Sequence, residues 1–122
     1  MFALRVDAKQ YNERYYQNKW CSQWNGVQEV RLIDFSRVDC ITKNYAVEFD
    51  FVKKWAECFG QATHYGDLTG KKSACILIIE KPADFIQYYK VMPTLDATIH
   101  IKQHHPLPLT ILAIIANVNL GV

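Results

Sequence analysis

The hydrophobic pattern of this chain changes period twice, and those two changes constrain its fold more than any other feature. From Arg37 to Phe51 apolar and polar residues alternate. Arg37 and Asp39 stand against Val38 and Cys40; further on, Ala46, Glu48 and Asp50 stand against Val47, Phe49 and Phe51. A period of two belongs to strands with two unlike faces. At Val52 the spacing becomes helical: Val52, Trp55, Ala56, Phe59 and Ala62/Thr63 form one apolar stripe, ending near Gly66 with Gly70 beyond. From Ser73 to Glu80 the run Ala-Cys-Ile-Leu-Ile-Ile has no polar interruption, which suits a strand covered on both sides. The pattern therefore predicts antiparallel strands feeding a crossover helix into a parallel strand.

The flanking segments extend this core. Asp7 to Gln23 reads as a helix with Asp7 as N-cap and Tyr16, Trp20 and Trp24 on one face, closed by the turn signal Asn25-Gly26. Val27 to Ile33 is a first strand, Asp34-Phe35-Ser36 a tight connection, Arg37 to Thr42 a second strand and Tyr45 to Phe51 a third. Pro82 to about Val91 is a short helix, Thr98 to Lys102 a fifth strand, and Leu109 to Val118 a strand or a buried helix. The expected order is α-β-β-β-α-β-α-β plus a tail, in an α/β fold with a mixed sheet flanked by helices.

At 122 residues the chain is expected to be one domain, with its core at about 7–90 and an extension over 91–122. Half of the residues are hydrophobic and 21% are charged, the balance of a folded globular chain rather than a disordered one. No apolar stretch reaches the ~18 residues of a membrane span, and Leu107 to Leu120 is broken by Asn117 and Asn119, so no membrane partner is expected. The opening Met1 to Val6 is too short for a secretory apolar region. A formal charge of +2 does not select a partner. Cys21, Cys40, Cys58 and Cys75 contain no CxxC pair, which argues against zinc. Two readings stand: buried free thiols in a cytoplasmic protein, which is favoured, or a disulfide, with Cys21–Cys40 the preferred pair, in a secreted one.

Three acids stand out. Asp39, Glu48 and Asp50 lie on adjacent short strands whose opposite faces are apolar, so they could converge at one end of the sheet. Clustered carboxylates repel unless a cation sits between them, and hard oxygen ligands suit Mg²⁺ or Mn²⁺. On spacing alone, solvated strand faces are the competing reading. The helix that follows carries Lys54, Glu57, Gln61 and Tyr65 in steps of three and four, along one line. The pair His104-His105 before Pro106 reads as a solvated loop.

The succession Glu13, Asp39, Glu48-x-Asp50 and Gln61-Ala-Thr-His-Tyr65 resembles the PD-(D/E)XK nuclease superfamily, and is similar to its RecB-type branch with a Gln-x-x-x-Tyr motif. The resemblance covers roughly residues 7 to 90. It implies a restriction-endonuclease-like αβββαβ core and Mg²⁺- or Mn²⁺-dependent hydrolysis of phosphodiester bonds in nucleic acid, with DNA favoured. It implies Asp39 and Glu48 as metal ligands, Glu13 and Asp50 as further candidates, and Gln61 and Tyr65 as substrate-positioning residues. Asp50 occupies the place where the family has its lysine. Either Lys54 supplies that cation from the next helix, or the chain is an inactive nuclease-fold module that binds nucleic acid or a protein. An unrelated α/β interaction protein is the third reading. With no room for a separate recognition domain, specificity would come from a homodimer, a partner or structure-selective binding.

Overall fold

The structure, a computed structural model, describes residues 11–91, 98–104 and 110–116. The first helix, α1, runs Glu13–Gln23, because Asn12 rather than Asp7 caps it: the Asn12 side chain accepts the Tyr15 N–H at 2.9 Å. Asp7 lies outside the described residues. Tyr16, Gln17, Trp20 and Cys21 form the buried face of α1. Asn25 turns the chain with φ 55°, a conformation asparagine tolerates better than most residues. Gly26 then passes so close to two sulfurs that a Cβ would stand 2.5 Å from Cys40 Sγ and 2.7 Å from Cys21 Sγ.

Strands β1 (Val27–Arg31), β2 (Arg37–Ile41) and β3 (Tyr45–Phe51) form an antiparallel meander. β1 stops at Arg31 rather than Ile33, since Leu32 N–H donates to Ser36 O (2.8 Å) and Phe35 N–H to Leu32 O (3.0 Å), closing the turn early. A 3₁₀ turn over Val52–Lys54 leads into α2 (Trp55–Thr69), which ends at Gly70 with φ 70°. β4 (Lys72–Ile79) runs parallel to β3, in register from Tyr45↔Lys72 to Phe51↔Ile78. α3 spans Pro82–Val91. The last apolar segment is a strand, β6 (Thr110–Ala116), antiparallel to β4, with β5 (Thr98–His104) outside it. His104 ends β5 rather than standing in a loop, and His105 and Pro106 lie outside the described residues.

The sheet order is β1-β2-β3-β4-β6-β5, so the chain is α/β with a mixed sheet flanked by helices. Tyr16 and Trp20 of α1 pack on Val47, Phe49, Phe51, Ile76 and Ile78. From α2, Tyr65 meets Val38 and Ala46. Ile76, Leu77, Ile78 and Ile79 are fully buried, each contributing roughly 1.5–3 kcal/mol of transfer free energy.

The free-thiol expectation is overturned. Cys21 is bonded to Cys40, and Cys58 to Cys75, each pair with Cα atoms 5.9 Å apart. The first bridge ties α1 to β2. The second, which spacing did not suggest, ties α2 to β4.

Candidate active site

The site begins where the β2–β3 ladder opens. Main-chain pairing joins Cys40 to Val47 and Ile41 to Ala46. One step further, side chains replace it. Asp39 N–H donates to Glu48 Oε1 (3.0 Å), and Phe49 N–H donates to Asp39 Oδ2 (2.9 Å). Each carboxylate thus takes the place of a peptide carbonyl, which is why two acids can sit inside the seam of a sheet. From α1 the buried Gln17 donates its amide to Asp39 O at 3.0 Å and fixes the backbone there. Cys58 Sγ packs 3.6 Å from Glu48 O, so the second disulfide backs the same strand.

Above this opening lies a cleft of about 290 Å³. All seven side chains singled out from sequence line it: Glu13 from α1, Asp39 from β2, Glu48 and Asp50 from β3, Lys54 from the 3₁₀ turn, and Gln61 and Tyr65 from α2. Glu29, Arg37 and Glu57 line it as well. Sequence reasoning used Glu57 only as a helix-face marker and gave Glu29 and Arg37 no role. Their signal was register: Arg37 shares a face with Asp39, and Glu29 lies on the neighbouring strand.

The cleft is short of positive charge, with six carboxyl groups facing Lys54 and Arg37. Burial raises Glu48 to about 9, with the charges of Asp39, Asp50 and Glu13 adding to it. Glu13 is raised to about 8, by burial first and then by Asp50 and Asp39. Asp39 and Asp50 are each raised to about 6, again chiefly by burial. The acids meet in pairs, Glu13 hydrogen-bonded to Asp50 and Asp39 to Glu48. Lys54 acts on Glu13 and Asp50 through its charge. Arg14 pairs with Glu29 at the edge of the cleft and its charge acts on Asp39, whereas the His64–Asp34 pair lies outside it. Tyr65 is raised by burial and then by Glu48 and Asp39, so its hydroxyl stays a donor.

Among the described residues no three His, Cys, Asp or Glu side chains stand ready as a group to hold a metal ion. The acids are instead arranged as two carboxyl pairs. No described helix is long and apolar enough to cross a membrane. Comparison of the chain with family models, curated proteins and solved structures finds no match.

Proposed function

We propose that the chain is a metal-dependent phosphodiesterase acting on nucleic acid, DNA favoured, on a restriction-endonuclease-like core. The observation that carries this reading is the convergence of Glu13, Asp39, Glu48, Asp50, Lys54, Gln61 and Tyr65 on one cleft. The antiparallel β1-β2-β3 meander, the α2 crossover and the parallel β4 are the element order that the PD-(D/E)XK resemblance implies.

The donor set fits a hard divalent cation. It is all carboxyl oxygen, and burial with mutual repulsion keeps Glu48 and Glu13 protonated near neutral pH until a cation compensates them, while Asp39 and Asp50, raised to about 6, are largely ionised there. Asp39 and Glu48 would hold Mg²⁺ or Mn²⁺, with Glu13 and Asp50 beside them. Such a cation lowers the pKa of an attacking water and screens the phosphate charge. Lys54 places an ammonium beside the nucleophile, and Gln61 and Tyr65 donate to phosphate oxygens and fix the register of the strand. Gln17 holds the Asp39 backbone from behind.

The test is calorimetric titration with Mg²⁺ and Mn²⁺, followed by cleavage assays on single-stranded, duplex and branched substrates. Asp39→Asn and Glu48→Gln are expected to lose both metal affinity and cleavage. A parent chain that binds neither cation overturns the proposal. Metal binding without cleavage of any substrate supports the inactive-module reading, which the Glu13–Asp50 carboxyl pair at the place of the family's lysine favours.

A further inference from the structure

The turn between β1 and β2 combines three features, of which only Arg37 also takes part in the cleft. Ile33 and Phe35 are 88% and 79% exposed, the two most exposed large apolar side chains among the described residues. Phe35 has φ 68°, a conformation that costs a bulky residue roughly 1–2 kcal/mol. Arg31 and Arg37 are cross-strand partners, both exposed, and like charges directly opposite each other destabilise a hairpin.

This tip is also held rigidly. Ser36 donates to Asp34 through both its N–H (3.1 Å) and its hydroxyl. Arg31 Nη1 reaches Phe35 O at 3.4 Å. His64 on α2 pairs with Asp34 at 2.7 Å, and the Tyr65 hydroxyl meets Ser36. The tip is therefore fastened to the helix that carries Gln61 and Tyr65, and Arg37 belongs both to the tip and to the cleft lining. A mobile loop would relax its strain and move its arginines apart; this one keeps an exposed aromatic residue in the turn that joins the two arginines.

We infer that the β1–β2 tip is a single-strand platform: Phe35, with Ile33, stacks on an unpaired base while Arg31 and Arg37 hold the flanking phosphates. An aromatic face accepts any base, and the arginine pair gains the anion that its mutual repulsion calls for. The platform deepens the nuclease reading by naming its substrate as single-stranded or locally unpaired nucleic acid, but binding at the tip requires neither metal nor cleavage.

The test is fluorescence anisotropy of the whole chain, in chelator, with a short fluorescein-labelled single-stranded oligodeoxynucleotide carrying 2-aminopurine. The parent is expected to bind it more tightly than the matching duplex and to quench the 2-aminopurine. Phe35→Gly is expected to weaken binding roughly 5- to 100-fold and abolish the quench. Because glycine accepts the positive φ, the same variant should melt at a higher temperature, so weaker binding cannot be ascribed to misfolding. Arg31→Gln should weaken binding and lower the salt dependence by roughly 0.7 in log–log slope. Unchanged binding in Phe35→Gly, displacement by poly-glutamate as effective as by unlabelled oligonucleotide, or no binding by the parent each overturns the platform. Loss of the nuclease reading leaves a different signature: these binding results persist while metal titration and cleavage are negative.

Discussion

Lys54 reaches the acids from the last residue of the 3₁₀ turn before α2, and it is exposed, so its stem crosses the rim of the cleft with the ammonium acting on Glu13 and Asp50. On the proposed nuclease reading, that position makes Lys54 the residue on which hydrolysis would turn, since Asp50 stands where the PD-(D/E)XK pattern has its lysine. Lys54→Ala is expected to lower metal-dependent cleavage by ~10²–10³, with metal affinity and unfolding midpoint little changed. Lys53, also exposed, is absent from the cleft lining, and Lys53→Ala should cleave like the parent. Equal rates for Lys54→Ala and the parent, measured side by side under single-turnover conditions, would remove Lys54 from the chemistry.

The β2–β3 seam carries the pH dependence. Glu48 and Glu13 titrate at about 9 and 8 in the fold, Asp39 and Asp50 at about 6, all above their unfolded values because burial disfavours the charged form. The folded chain therefore holds more protons than the unfolded one across this window, and stability is greatest at the acid end and falls as pH rises through about 6 to 9. Thermal melts in chelator should show a lower midpoint at the alkaline end of that window than at its acid end. Added Mn²⁺ should restore most of the difference at the alkaline end and do little at the acid end. A midpoint that rises with pH in chelator would contradict the burial of these acids. The seam also marks where sequence reading stopped. Period-two alternation located Asp39, Glu48 and Asp50 on their strands, and helical spacing aligned Lys54, Gln61 and Tyr65, because each pattern is local. The exchange of ladder carbonyls for carboxylates left no such pattern, nor did Gln17 reaching across from α1. Glu29 and Arg37 looked like ordinary strand polarity until register set them beside the acids.

Across the whole molecule, two bridges hold one helix to each of two strands: α1 to β2 and α2 to β4. Cys21–Cys40 is the pair the sequence reading prefers; Cys58–Cys75 becomes adjacent only once α2 lies across the parallel pair. Their sequence separations are 19 and 17 residues, for which chain entropy gives about 3 kcal/mol of stabilisation each. That is comparable to one fully buried core side chain. Urea unfolding with and without reductant should show a loss of this order for each bridge, with Cys58→Ala/Cys75→Ala and Cys21→Ala/Cys40→Ala separating the two; an unchanged midpoint under reductant would count against both. Among the described residues the sheet ends at β1 on one side and β5 on the other. On β1, Glu29 adopts φ 53° and interrupts the extended backbone, and Arg31 sets a charge two residues on. An interrupted, charged border is a poor template for an incoming strand. Strand addition beside the acids is thereby disfavoured, and a strand added next to β5 would stand on the far side of β4 and β6 from the cleft.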